Sequence, residues 1–320
     1  MHRIIEEDSI ALANIELPWE MLKGKTILIS GANGYVSAYF IHAFLRRNEL
    51  FDSQIKVIAL CRSEQRAKER FCEYLGRTDF QLLLQDVCEP INLNERIDFF
   101  IHAASPANIS TRANLPASTF LTNVFGCKNL LDAALRNKGA KLLFLSSVDV
   151  YYGQDIYSCA KRATETLCTA YNAEYGMDAL VARPFQVIGP GIALSDGRLH
   201  ANFANQLKNT GKIIINTDGK AKRTFLYITD AIYGMLLVLL KGKTSEVYDV
   251  CSETGDATVI EFAKIFAKNA SIEVGNIPTA SPSCVTGSSQ KLRDLGWKPN
   301  VSLERAVERF LEFNCVLRIQ

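Results

Sequence analysis

Two periods of apolar and polar positions run along this chain, and the places where one gives way to the other mark its elements. The apolar run from Ile27 to Ser30 reads as a buried strand that stops at Gly31, turns through Gly34 and opens an amphipathic helix reaching about Arg47. Further strands are expected at Lys56–Leu60, Phe80–Leu84, Ile97–Ala104, Lys141–Ser146 and Ala179–Arg183. Helical spacing separates them at Glu64–Leu75, Ser118–Leu135 and Tyr157–Tyr175. Regular alternation of strand and helix demands right-handed crossovers and a parallel sheet covered on both faces, a doubly wound α/β fold.

Beyond Pro184 the texture changes. Gly, Pro and polar stretches alternate with short strands such as Lys212–Ile215 and helices near His200–Lys208, Ala231–Leu240 and Val259–Lys268, before Gly296-Trp297-Lys298-Pro299 and a closing helix at Ser302–Phe313. These patterns divide the chain into a loosely attached leader with a short helix (1–22), a first domain (23–185) and a smaller lobe (186–320). The two lobes interleave, with roughly 225–255, including Val247–Val250, returning to the first domain. A length of 320 residues suits about two domains.

Charge narrows the function. Lys and Arg number 36 against 34 Asp and Glu, a net +2 that argues against nucleic-acid or membrane-surface partners. Nine cysteines without paired metal-type spacing read as reduced thiols, and neither a signal peptide nor a membrane-length apolar run is seen. A cytoplasmic protein without a bound metal is the expectation.

Two stretches carry chemistry. Gly31-Ala-Asn-Gly34, between strand and helix, has the context of a dinucleotide fingerprint: Gly31 makes the tight turn and Gly34 lets a pyrophosphate approach the unpaired N–H groups of the helix N-terminus. The third glycine of that pattern is Ser37. Tyr157 and Lys161 stand four apart on one helical face, where an ammonium favours the phenolate of a side chain whose ordinary pKa is ~10. Ser147, ending a strand, can hold a substrate oxygen beside them, so a proton can be moved while a nicotinamide carries a hydride.

With these motifs the chain resembles the extended short-chain dehydrogenases, specifically the NAD(P)-dependent nucleotide-sugar epimerase/dehydratase family with its Rossmann sheet. The resemblance rests on Gly31-Ala-Asn-Gly34, Asp86-Val87, Ile101-His-Ala-Ala-Ser-Pro106, Asn123-Val-Phe-Gly126, Ser146-Ser-Val-Asp-Val-Tyr151 and Tyr157-x-x-x-Lys161. It continues through Arg183-Pro-Phe-Gln-Val-Ile-Gly-Pro190, Asp196-Gly-Arg198, Arg223-Thr-Phe-Leu-Tyr-Ile-Thr-Asp230 and Gly296-Trp297. It implies Tyr157, Lys161 and Ser147 as catalytic residues. It implies a cofactor site at Gly31, Asn33, Gly34, Tyr35, Val36, Arg62, Asp86, Val87, Ala103, Ala104, Ser105, Asn123, Lys161 and Pro184. Ser105, Asp149, Gln186, Arg198 and Arg223 would meet the substrate, with the two arginines at its diphosphate.

Departures from the family pattern shape the expected activity. Dehydratases carry Asp-Glu where this chain has Val148 and Asp149; decarboxylases carry Ser-Glu there and an arginine where Cys284 or its neighbours stand here. Both activities are thereby disfavoured against an epimerase or 4-keto reductase acting at C4 of a nucleotide-diphosphate sugar. A catalytically silent NAD(P)-binding sensor or scaffold is the competing class. The second strand ends Leu60-Cys61-Arg62 without the carboxylate that bonds an NAD ribose, which tilts the cofactor toward NADP. Only ten positions separate Ser147 from Tyr157, so a compact turn around a positive-φ Gly153 is expected, leaving an open pocket. Helices Ser118–Leu135 and Tyr157–Tyr175, with Phe120, Val124, Leu130, Leu167 and Tyr171, suit a homodimer through a four-helix contact.

Overall fold

The apolar runs line up where both their faces can be covered. The computed structural model describes residues 1–106, 108–278 and 287–316. It begins with α1 (Arg3–Asn14), β1 (Thr26–Ser30), α2 (Tyr35–Phe51), β2 (Lys56–Cys61), α3 (Glu64–Arg70), β3 (Phe80–Leu84) and β4 (Phe99–His102). Next come α4 (Ile109–Asn114), α5 (Pro116–Arg136), β5 (Lys141–Leu145), α6 (Ile156–Tyr175), β6 (Asp178–Pro184) and β7 (Gln186–Ile188). The remaining elements are α7 (Leu199–Thr210), β8 (Lys212–Thr217), β9 (Lys222–Tyr227), α8 (Ile228–Lys241), β10 (Val247–Val250), β11 (Asp256–Thr258), α9 (Val259–Ala267), β12 (Ser271–Ile277), α10 (Gln290–Asp294) and α11 (Leu303–Phe313).

Seven strands form one parallel sheet in the order β10-β6-β5-β4-β1-β2-β3. The winding reverses beside β1, which opens a crevice at the carboxyl ends of β1 and β4, where doubly wound sheets bind their ligands. Side chains alternate across the sheet: Ile27 and Ile29 join Phe40, Phe44, Leu236 and Leu240 on one face, and Leu28 joins Leu130, Leu131 and Cys168 on the other. Every residue from Ile228 to Leu240 is buried, as a helix apolar all round its surface requires. A third core, with Phe203, Phe262, Phe266 and Phe310, fills the space around the three-stranded sheet β11-β9-β7 and the pair β12-β8. Strand β10 pairs in parallel with β6, so a segment from beyond residue 186 completes the edge of the main sheet. The closing Trp297 donates its indole N–H to the Asp230 carbonyl at 3.0 Å, while the Asp230 carboxylate accepts the backbone N–H groups of Asn300 and Val301.

Several sequence expectations change. Residues 1–22 are not loosely attached: Ile4, Leu12 and Ala13 of α1 are fully buried. Asp8 accepts hydroxyl hydrogen bonds from Tyr39 (3.0 Å) and Tyr227 (2.7 Å) and pairs with Arg309 at 2.8 Å. The helix expected to reach Leu75 ends at Arg70 and gives way to a short 3-10 turn, Cys72–Tyr74. There Phe71 and Tyr74 pack on Phe80 with ring centroids 5.3 and 5.8 Å away. Strand β4 stops at His102 rather than Ala104, because the N–H groups of Ala103 and Ala104 are taken by Ser30 Oγ instead of a neighbouring strand.

Candidate active site

The crevice holds two adjoining cavities. The first, of 330 Å³, is lined by Gly31, Asn33, Gly34, Arg62, Ser63, Arg66, Val87, Ala103, Ala104 and Ser105, among others. The second, of 360 Å³, shares Gly34, Ala103 and Ser105 with it and adds Tyr35, Val36, Arg112, Ser147, Asp149, Tyr157, Lys161, Pro184, Gln186 and Arg198. The cleft is thus continuous from the end of β2 to the start of α6.

The floor of the first cavity follows from local chemistry. Gly31 has φ +63°, and a Cβ there would lie 2.6 Å from the Ala104 Cα, so only glycine lets the turn after β1 pass so close to the end of β4. Gly34 caps α2 without a side-chain hydrogen bond, which leaves the first N–H groups of the helix for an anionic ligand. Ser30 and His102 hold the two strand ends together. Ser30 Oγ accepts from Ala103 and Ala104, so its own proton goes to His102 Nδ1 at 2.8 Å, and His102 Nε2–H donates to the Asn123 carbonyl at 3.2 Å. Burial pushes His102 down to about 3, which keeps it neutral for this bridge. Glycine turn, uncapped helix and elongated cleft fit a dinucleotide, which Gly31, Gly34, Ala103 and Ala104 could hold along its phosphates and rings, with Arg62 available to its adenosine end.

The second cavity gathers the residues that can move a proton. Tyr157 and Lys161 are buried on the first turns of α6, and Ser147, which follows β5 and caps the 3-10 turn after it, lines the same cavity. Burial raises the Tyr157 phenol above its ordinary value, and Arg112 is the largest influence in the other direction. Lys161 Nζ donates to the Leu145 carbonyl at 2.6 Å, and burial lowers its pKa to about 7. Its ammonium lies 5.5 Å from the Tyr157 ring centroid. The turn between Ser147 and Tyr157 is a 3-10 segment, Val148–Tyr151, whose Asp149 N–H donates to Ser147 Oγ at 3.2 Å. Gly153 is needed there for its size and not for a positive φ: a Cβ would lie 1.9 Å from Ser158 Oγ and 2.8 Å from the Asp149 carbonyl. Tyr151 and Tyr152 leave the Tyr157 position clear, since their hydroxyls donate to Asp249 and Asp149.

Three expected site residues sit outside the cleft lining. Asp86 pairs with Arg62 at 3.5 Å on an exposed face. Asn123 is fully buried and donates to Ser105 Oγ at 3.0 Å, so it braces a lining residue. Arg223, on β9, donates to its neighbour's carbonyl at Lys222, and Cys284 falls outside the described residues. Arg198 does line the cavity, with its Nε 3.1 Å from Asp196. Sequence reasoning passed over Arg112, whose guanidinium lies 3.7 Å from the Tyr157 ring centroid and 3.3 Å from Asp149. Its position depends on the fold of α4, and no motif announces it.

Known proteins resemble this chain. The model of the NAD dependent epimerase/dehydratase family matches residues 27–251. UDP-glucuronic acid decarboxylase 2 of Arabidopsis thaliana is 28% identical over 309 residues, covering 89% of this chain and 67% of the relative. Among solved structures, UDP-glucose 4-epimerase with UDP-glucose from Thermotoga maritima has a TM-score of 0.78 at 21% identity, covering 92% of this chain and 99% of that one. RMD from Pseudomonas aeruginosa complexed with NADPH has a TM-score of 0.72 at 24% identity, covering 92% and 100%. These likenesses carry the fold.

Proposed function

We propose that this chain, which belongs to the NAD dependent epimerase/dehydratase family, oxidises or reduces C4 of a nucleotide-diphosphate sugar, as an epimerase or 4-keto reductase. The observation that carries the reading is the convergence of Tyr157, Ser147 and Lys161 on the second cavity. Bound NAD(P) would supply a hydride acceptor or donor. Tyr157 takes or returns the proton of the sugar hydroxyl, and Ser147 holds that oxygen in line by a hydrogen bond. Lys161 steadies the turn from its contact with Leu145 and meets the nicotinamide ribose, while Arg198 binds the diphosphate by its planar fork. Gln186 and Asp149, on the cavity wall, orient the sugar hydroxyls. Arg62, Ser63 and Arg66 at the adenosine end favour NADP over NAD, through a 2′-phosphate.

The relatives favour a second reading, decarboxylation of UDP-glucuronate, against which stand Val148 and Asp149 in place of Ser-Glu. A panel of UDP-, dTDP-, GDP- and CDP-sugars, UDP-glucuronate included, separates the two. C4 chemistry alone changes nicotinamide fluorescence without carbon dioxide, and decarboxylation releases it. Constant fluorescence together with no new sugar and no carbon dioxide across the panel would leave a silent NAD(P)-binding protein. Assembly as a homodimer belongs to the same proposal: Leu121 and Phe125 of α5 are 44% and 49% exposed, and Phe120, Val124, Leu167 and Tyr171 are half-buried, while Leu130 is spent on the sheet. Light scattering that gives a monomer mass at micromolar concentration would refute it.

A further inference from the structure

We infer that Arg112 is the cation that sets the ionisation of Tyr157, a positioning residue on α4 that Asp149 anchors over the phenol ring. The inference rests on Tyr157 being the acid/base. To the ammonium four residues along the helix, where sequence spacing puts a charge, it adds a guanidinium brought in from another element.

The geometry divides the two cations by task. Arg112 presents its guanidinium carbon 3.7 Å from the Tyr157 ring centroid, against 5.5 Å for Lys161 Nζ. The lysine is otherwise engaged, donating to the Leu145 carbonyl at 2.6 Å with Nζ 4.7 Å from the Phe144 ring centroid. Its buried ammonium also loses its proton in the neutral range, having been lowered to about 7. A guanidinium keeps its charge at any pH at which the protein is folded. When the phenol ionises, negative charge spreads into the ring, so a cation over the face is attracted more strongly by the product than by the neutral form. That difference, and not the attraction itself, shifts the equilibrium.

The other groups around the phenol fix the expected signs. Besides Lys161 on its own helix, Tyr157 faces Asp149 from the 3-10 turn, which opposes ionisation, and Arg198 from the start of α7, which assists it more weakly than Arg112. Ser147 assists from the end of β5. Asp149 accepts from Arg112 Nη1 at 3.3 Å and from the Tyr152 hydroxyl at 2.9 Å, so it holds the guanidinium in place while cancelling part of its charge. Removing Arg112 and removing the charge of Asp149 should therefore move Tyr157 in opposite directions.

The test reads Tyr157 directly and requires no substrate. In the full chain, 3-fluorotyrosine placed at position 157 reports ionisation through its fluorine NMR shift as pH is raised. Arg112→Gln is expected to raise the midpoint by about one pH unit, a tenfold fall in the ionisation constant. Arg112→Lys should fall between the two, and Asp149→Asn should lower the midpoint. An unmoved midpoint in Arg112→Gln that keeps its circular dichroism spectrum overturns the inference. So does Asp149→Asn shifting in the same direction as Arg112→Gln, because the contact and not the charge would then matter. Because the readout needs no sugar, these results stand apart from the nucleotide-sugar reading, which fails separately if no sugar changes the bound nicotinamide. If turnover is found, the pH at which its rate rises should shift with the fluorine midpoint in each variant.

Discussion

Replacing Lys161 by Met should make the cofactor-free protein more stable and inactive. The side chain is only 3% exposed, and its pKa is lowered from 10.5 to about 7, so the protonated form is disfavoured in the fold by about 5 kcal/mol at ~1.36 kcal/mol per unit. Against this, Met cannot donate to the Leu145 carbonyl, and leaving that group unpaired costs about 1–3 kcal/mol. A gain of about 2 kcal/mol at pH 7 is the balance. The sign with pH follows from which state holds the proton. Between about 7 and 10.5 the unfolded chain keeps a proton that the folded chain has released, so stability of the parent rises with pH across that window. The advantage of Lys161→Met should accordingly shrink by about 2 kcal/mol from pH 7 to pH 9 and vanish there. Urea unfolding of cofactor-free protein at the two pH values measures this directly. A variant less stable than the parent at both pH values would refute the reasoning, because the Leu145 contact would then outweigh the buried charge.

Three further outcomes are expected. Tyr157→Phe should abolish turnover with cofactor affinity unchanged in calorimetric titration; residual turnover near the parent rate would remove Tyr157 as the acid/base. Arg62→Ala should weaken NADP(H) selectively, and strong NAD(H) binding by the parent with no NADP(H) binding would sink the cofactor preference. Arg198→Ala should cost nucleotide-sugar affinity up to about 2–5 kcal/mol where the diphosphate is well desolvated, with a smaller loss in Arg223→Ala, which sits off the cleft. Equal affinities in both variants and the parent would remove both from the site.

Much of the sheet was legible because each strand is a short apolar run bounded by a helix of opposite period, as at Ile27–Ser30 and Phe80–Leu84. What periodicity could not carry was long-range pairing. Strand β12, Ser-Ile-Glu-Val-Gly-Asn-Ile, is mostly exposed, and it is paired along its length with Lys212–Thr217. The leader looked loose because a single carboxylate, Asp8, carries no sign of the tyrosines and arginine waiting for it far along the chain. In the site, Gly31, Gly34, Tyr157 and Lys161 are local in sequence and could be read. Arg112 and the Ser30–His102 bridge depend on distances between separate elements, and Gly153 was assigned a conformational role when steric room against Ser158 is what it provides.

The docking of α1 has a consequence for how the protein is made. This helix is translated well before its partners Tyr227 and Arg309, which lie 219 and 301 residues further along the chain than Asp8. Its apolar side, with Ile4 and Leu12, must therefore wait without a finished binding surface until those later residues are made. Chaperone engagement should concentrate on nascent chains shorter than about residue 309 and fall sharply once α11 emerges.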